Sequence, residues 1–266
     1  MGKIGLIAGS GELPQEFAKN VAQKGIPFEI FGIKKITDKS LQKYAKTHFV
    51  NFGEAQKLID LMKERNITDV VMLGKIEHYS LIFSLHKLDK RAREFFSALK
   101  DKRAKSILEA VLKELEKEGF RPIDPTPFLK DLLVPKGLIN NVQPTKEELE
   151  DIKFGFEIAK QVADLDIGQT VVVKDKIVVA VEGLEGTDKC ILRGGDLGGK
   201  GTVVCKAARK NQDMRYDVPV IGVKTLKAMK KAKARVLGIE SGKMFLLNRN
   251  EFIKTADKYG ISVIGL

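Results

Sequence analysis

Short apolar runs alternate with amphipathic stretches through the first half of the chain. Ile4–Ala8 reads as a buried strand and runs into Gly9-Ser-Gly11. A helix is predicted over 14–24, with Phe17, Val21 and Ala22 at its inward positions. Phe28–Ile33 is a second strand, followed by a helix over 38–46 and a short strand over 49–52. The stretch 54–65 places Leu58, Ile59 and Met62 on one helical face, and Asp69–Leu73 is a fourth strand that stops at Gly74. Helices over 87–100 and 103–118 follow, dense in Lys/Glu pairs on the face meant for solvent. Strands alternating with helices predict a parallel sheet with right-handed crossovers. The fold class is therefore α/β.

Gly119 ends the last of these helices, and Pro122, Pro125, Pro127 and Pro135 crowd the segment after it. We place a domain boundary near residue 130, giving an N-terminal domain over 1–130 and a distinct mixed α/β domain over 131–266. Thr145 with Glu148 is a capping-box signature. It opens a helix to about Leu165 whose apolar stripe is Leu149, Ile152, Phe156, Ala159 and Val162. The runs 170–173 and 177–181 flank Lys174-Asp-Lys176 as a β-hairpin. Further strands are predicted over 202–206, 235–239, 244–247 and 262–264, and helices over 225–233 and 251–259. No internal repeat and no low-complexity tail is present.

Composition narrows the class. Hydrophobic residues make up 43% of the 266, enough for real cores. No apolar run is long enough to span a bilayer, and the N-terminus reads as a strand rather than a signal peptide. Cys190 and Cys205 have neither disulfide-framework nor zinc spacing, which points to a reducing cytoplasm. Lys and Arg number 47 against 35 Asp and Glu, net +12. That balance fits nucleic acid, an anionic membrane surface or an acidic substrate; it also fits the charge enrichment of a thermostable surface. No nucleic-acid module is recognisable. Lys224, Lys227, Lys230, Lys231, Lys233 and Arg235 form a basic run without an acid, suited to lipid headgroups or to simple solvation.

The chemistry concentrates in two places. The strand ending near Val181 runs straight into Glu182, Gly183, Leu184, Glu185, Gly186, Thr187 and Asp188. Carboxylates this close need a cation or a proton to offset them, and a magnesium ion shared with substrate phosphates does so. A helix cap by Thr187 or Asp188 is the plainer reading, but it accounts for one residue of the group. The second place is Arg215-Tyr-Asp217-Val-Pro219, with Gln212 and Asp213 just upstream. Arg215 and Asp217 alternate with their neighbours, which puts both on one face of a short strand; a surface salt bridge is the plainer reading. Gly9 and Gly11 lie where backbone amides cradle a phosphate, although Pro14 stands where a dinucleotide fingerprint needs its third glycine. Lys75 sits past the carboxyl end of a strand, where parallel sheets bind ligands. His48, His78 and His86 show no metal-ligand spacing, so a His-rich two-metal hydrolase is disfavoured. No G-x-S-x-G elbow is present.

The segments Ile4-Gly-Leu-Ile-Ala-Gly-Ser-Gly-Glu-Leu-Pro14, Asp166-Ile-Gly-Gln169, VAVEGLEGTD at 179–188 and RYDVPVIG at 215–222, with the GF…LLVPKG region at 119–137, resemble the LpxI family. Those proteins are UDP-2,3-diacylglucosamine pyrophosphatases of lipid A biosynthesis. The resemblance covers nearly the whole chain, in order. It implies a Rossmann-like N-terminal domain, a distinct α/β C-terminal domain and substrate between them. It also implies magnesium-dependent hydrolysis of UDP-2,3-diacylglucosamine to UMP and 2,3-diacylglucosamine 1-phosphate. By the same resemblance Asp217 is central to catalysis, binding magnesium or orienting water, and Arg215 offsets charge on the dividing pyrophosphate. Asp188 joins them as a catalytic residue. Glu182, Glu185 and Asp188 hold the metal or its waters with Asp217, and Thr187 touches phosphate. Gly9, Gly11, Lys75 and Gln212 complete the expected substrate contacts. Gly183 stands where the family has Ala, and 193–210 matches poorly.

The expectation is thus a cytoplasmic hydrolase with Mg2+ as cofactor. Its partners are a UDP-linked acylated glucosamine and, transiently, the inner-membrane surface, with no nucleic acid. A homodimer is expected from the prevalence of twofold assemblies. The alternatives are a non-catalytic nucleotide- or sugar-phosphate-binding module and a basic RNA-binding protein, whose affinity would fall steeply with salt.

Overall fold

A computed structural model of the chain describes residues 2–75, 88–99 and 104–266. Glu77, His78 and His86 lie outside those residues. The chain divides into two compact units. One runs to Lys130 and also takes in Asp213–Asp217; the other comprises Asp131–Gln212 and Val218–Leu266.

The first unit is built on β1 (Ile4–Ala8), β2 (Phe28–Ile33), β3 (Thr47–Val50), β4 (Asp69–Leu73) and β5 (Arg121–Pro122). They form one parallel sheet in the order β3-β2-β1-β4-β5. That is the order of the first strands in doubly wound dinucleotide folds. Both faces are covered, so β1 and β4 are buried almost throughout. Phe31, Ile59, Met62, Ile67, Val70, Leu115 and Phe120 fill one core under α2 (Ala55–Glu64) and α4 (Ala104–Lys117). The helix α1 (Leu13–Gln23) packs against β1 and buries Leu13, Pro14, Phe17, Ala18 and Val21. Ala18, rather than the predicted Ala22, completes its inward stripe, since Ala22 stays half-buried. A helix α3 (Lys90–Ala98) is capped by Asp89, which accepts from Ala92 N at 2.8 Å.

Two predictions here are corrected. The helix over 38–46 is a 3-10 turn, Lys39–Lys43, with Leu41 its single buried residue. One apolar side chain cannot hold a longer amphipathic helix on a core. The third strand is Thr47–Val50, shifted two residues toward the N-terminus.

The second unit carries a mixed six-stranded sheet in the order β6-β13-β11-β9-β7-β8. Its strands are β6 (Gly137–Leu138), β7 (Thr170–Lys174), β8 (Ile177–Val181), β9 (Val203–Lys206), β11 (Val236–Ile239) and β13 (Ser262–Gly265). A separate parallel pair joins β10 (Val220–Ile221) to β12 (Phe245–Leu246). The predicted hairpin is present, turning through Asp175 and Lys176 at positive φ. Asp151 accepts from both of their backbone N–H groups, at 2.9 and 2.7 Å.

Asp151 belongs to α5 (Lys146–Asp164), whose capping box between Thr145 and Glu148 is fully formed. Alternation along the strands separates two cores. Val171, Val173, Val203 and Cys205 face α5 through Ile152, Ala159 and Val162. Val172, Ala180 and Val204 face the other way, toward Cys190, Ile191, Leu226 and Met229. Those last four lie on α6 (Thr187–Gly198) and α7 (Val223–Ala232). A last helix, α8 (Arg249–Tyr259), adds Phe252 and Ala256 to that core.

The Gly-rich stretch from Arg193 has a packing explanation. A Cβ on Gly194 would lie 2.6 Å from Val172 Cγ1, and one on Gly195 would lie 2.5 Å from the Ala232 carbonyl oxygen. These glycines let α6 settle between the sheet and α7.

Both cysteines are buried and unpaired. Burial pushes each thiol up to about 12, so almost none is thiolate near neutrality. Native protein at pH 8 should therefore leave a thiol-reactive dye unreacted, and both thiols should react once denaturant unfolds it. Prompt reaction of the native protein would contradict the burial of Cys190 and Cys205.

Candidate active site

One edge of the six-stranded sheet gathers the chemistry of the second unit. Thr170 opens β7 opposite Lys206, the last residue of β9. Glu182, directly after β8, donates its N–H to Thr170 O at 2.8 Å. Register therefore sets Glu182, Thr170 and Lys206 side by side. Their side chains share the face of Ala180, Val172 and Val204, because residues two apart on a strand point the same way. The first residue of α6, Thr187, closes this row.

The hydrogen bonds are specific. Lys206 Nζ donates to Thr187 Oγ1 at 3.0 Å, and Thr187 Oγ1 donates to Glu182 Oε1 at 3.0 Å. Thr170 Oγ1 approaches Thr187 Oγ1 at 3.4 Å. The other oxygen of Glu182 accepts from Gln169 N at 3.2 Å. The Asp166-Ile-Gly-Gln169 segment is thereby tied to the acidic motif. Gly168 is required there, since a Cβ would stand 2.2 Å from Glu182 O. Lys206 is 8% exposed, and lysine is almost never buried without a partner.

Neither Thr187 nor Asp188 caps α6. The N-cap is Gly186, at φ 82° and without a side-chain cap. Thr187 is the first helical residue rather than the N-cap, and its Oγ1 accepts from Lys206 Nζ rather than from a helix N–H, which corrects the capping reading. Glu185 is committed elsewhere. One carboxylate oxygen pairs with Arg193 Nη2 and the other accepts from Gly183 N at 3.1 Å. The Arg193 guanidinium holds Glu185 below the usual carboxylate range. Asp188 is exposed in the first turn of α6.

Asp217 belongs to the first unit. The segment Asp213–Asp217 is a turn, not the predicted strand. Tyr216 N and Asp217 N both donate to Asp213 O, at 3.3 and 3.0 Å. Arg215 grips Asp213 through Nε at 3.0 Å and Nη2 at 2.7 Å, and its Nη1 reaches Glu116 at 3.3 Å. Tyr216 Oη donates to Glu109 Oε1 at 2.9 Å. Arg215 and Tyr216 thus fasten the turn to α4. The Arg215 bond holds Asp213 below its usual range, and burial with Glu109 pushes the Tyr216 phenol up. Gln212 Oε1 accepts from Arg209 N at 3.1 Å.

At the carboxyl ends of β1 and β4 the backbone is stitched closed. Ser10 and Lys75 exchange N–H···O bonds, each 2.9 Å, and Ser10 Oγ donates to Lys75 O at 2.9 Å. A Cβ on Gly9 would meet Lys75 O at 2.7 Å. Gly9 is there for backbone approach, whereas Gly11 takes φ 102° with open space around it. The Lys75 side chain is exposed.

Among the described residues no group of three or more His, Cys, Asp or Glu is arranged to hold a metal. Magnesium asks less, one or two carboxylates beside waters and substrate phosphates. Glu182 and Asp188 are hard oxygen donors that fit such an ion; Glu185, whose charge the Arg193 guanidinium already offsets, fits less well.

Sequence reasoning missed Lys206, Thr170 and Arg193. Lys206 carried a signal. It stands two residues after Val204, in phase with the buried face of an apolar strand, where a solvated lysine has no place.

Fold and site describe a two-unit α/β protein with a threonine–lysine–glutamate network at one sheet edge. Residues 3–132 match the LpxI N-terminal domain and 135–264 the LpxI C-terminal domain, so the chain belongs to the LpxI family. A curated relative from Caulobacter vibrioides, UDP-2,3-diacylglucosamine pyrophosphatase LpxI, is 32% identical over 278 residues, covering 100% of this chain and 98% of its own. Likeness to solved structures is slight. A UDP-glucose-4-epimerase from Stenotrophomonas maltophila is 15% identical with a TM-score of 0.31, covering 45% of this chain and 35% of that one. A leucoanthocyanidin reductase from Vitis vinifera is 12% identical with a TM-score of 0.32, covering 100% of this chain and 77% of that one.

Proposed function

We propose that the protein hydrolyses the pyrophosphate bond of UDP-2,3-diacylglucosamine, releasing UMP and 2,3-diacylglucosamine 1-phosphate for lipid A biosynthesis. The observation that carries this is the end-to-end relationship to the Caulobacter pyrophosphatase. Water attacks phosphorus, the bridging P–O bond breaks, and each product keeps one phosphate. Asp217 orients or deprotonates that water. Glu182, fixed on both oxygens, and Asp188 hold Mg2+, which when bound neutralises charge on the phosphoryl oxygens. Thr187 reaches substrate phosphate only by giving up its bond to Glu182, because a hydroxyl has a single proton to donate.

An acylated substrate resides in a membrane. No described helix is long and apolar enough to cross one. Access from the cytoplasmic surface fits the net charge of +12 and the basic cleft lined by Lys200, Lys230, Lys233 and Arg235.

Purified protein incubated with UDP-2,3-diacylglucosamine in detergent should release UMP with Mg2+ and none with EDTA. A folded protein that releases no UMP across several acyl lengths would overturn the proposal. The binding-module reading would then stand, and it expects ligand binding to survive Asp217→Ala.

A further inference from the structure

The Lys206–Thr187–Glu182 chain has a fixed polarity. An ammonium can only donate, and a hydroxyl owns one proton. With Lys206 Nζ donating to Thr187 Oγ1, the Thr187 proton is turned toward Glu182 Oε1. Gln169 N holds Oε2. Each carboxylate oxygen therefore keeps a defined set of lone pairs directed away from its protein donor. Neither neighbouring acid is held this way: Glu185 is neutralised by Arg193, and Asp188 lies exposed. The Lys206 side chain leaves the same sheet face as Val172, Val204 and Ala180.

We propose that Lys206 is a positioning residue for the hydrolysis proposed above, orienting Glu182 toward the ligand through the Thr187 hydroxyl. The inference rests on that reading of the reaction. It makes Glu182 the working carboxylate of the Glu182–Asp188 motif and Thr187 a relay rather than a helix cap.

The test compares wild type, K206M, K206R, T187V, T187S and the K206M/T187V double variant. Each is assayed for UMP release from UDP-2,3-diacylglucosamine with Mg2+. The Thr187 χ1 rotamer is measured by NMR three-bond couplings to its methyl carbon. K206M and T187V should each lower kcat about 10- to 100-fold, as loss of an outer-sphere orienting partner does, with KM within about threefold. The double variant should lose no more than the worse single, because both break one chain. K206R and T187S should recover most of the rate. Thr187 should hold one rotamer in the wild type and average in K206M. T187V at the wild-type kcat, or losses that multiply in the double variant, would overturn the proposal even if K206M failed to fold. A wild type without turnover fails differently, since it removes the hydrolase reading itself.

Discussion

Asp217→Asn should release UMP about 10²- to 10⁴-fold more slowly than the wild type, the range for loss of a general acid–base group. The turn that carries Asp217 is held by its backbone and by its neighbours' side chains. Its backbone closes on Asp213 O, and Arg215 and Tyr216 fasten it to Glu116 and Glu109 on α4. Asn is isosteric and keeps the backbone N–H, so the thermal midpoint should move little. A rate loss without a stability loss isolates the chemistry. Stopped activity with a collapsed midpoint would instead mean that Asp217 holds the turn. Activity within threefold of wild type would remove Asp217 from the mechanism.

Gly195→Ala should destabilise the protein, against the direction that helix propensity predicts. Alanine inside a helix gains about 1 kcal/mol over glycine. At Gly195, however, the new methyl would stand 2.5 Å from the Ala232 carbonyl oxygen and 2.7 Å from its Cβ. The first of these is backbone at the end of α7, which cannot rotate aside. Overpacking of this kind costs about 1–3 kcal/mol, and contact with an anchored carbonyl belongs at the upper end. The net loss is then about 1–2 kcal/mol, a fall of roughly 2–8 °C in Tm at this chain length. The strain bears on the helix that begins with Thr187, so kcat should fall as well. A raised midpoint with full activity would show that α6 and α7 have room to separate.

What could be read from the sequence follows from how local the cause is. The helix α5 was legible because its capping box, stripe and length agree within one segment. The hairpin was legible for the same reason, although the support of its turn by Asp151, some twenty-five residues upstream, was not. The acidic motif was visible as a crowd of carboxylates, but their division of labour was hidden. Glu185 differs from Glu182 because Arg193 lies one helical stretch away, and Lys206 arrives from another strand. The turn Asp213–Asp217 was misread because five alternating residues suit a strand as well as a turn. Only the tertiary bonds to α4 decide between them.

The excursion of Asp213–Asp217 into the first unit sets a limit on dissecting the chain. A gene cut at 130/131 lies close to the family's own division, between residues 132 and 135, yet it yields an N-terminal fragment missing a segment it packs with. Glu109 and Glu116 on that fragment would be left without Tyr216 and Arg215. The same holds for chimaeras between relatives: an exchanged N-terminal half meets a foreign Arg-Tyr-Asp turn on its own α4. Halves would be interchangeable only if residues 213–217 travel with α4, so the unit of exchange is discontinuous in the gene.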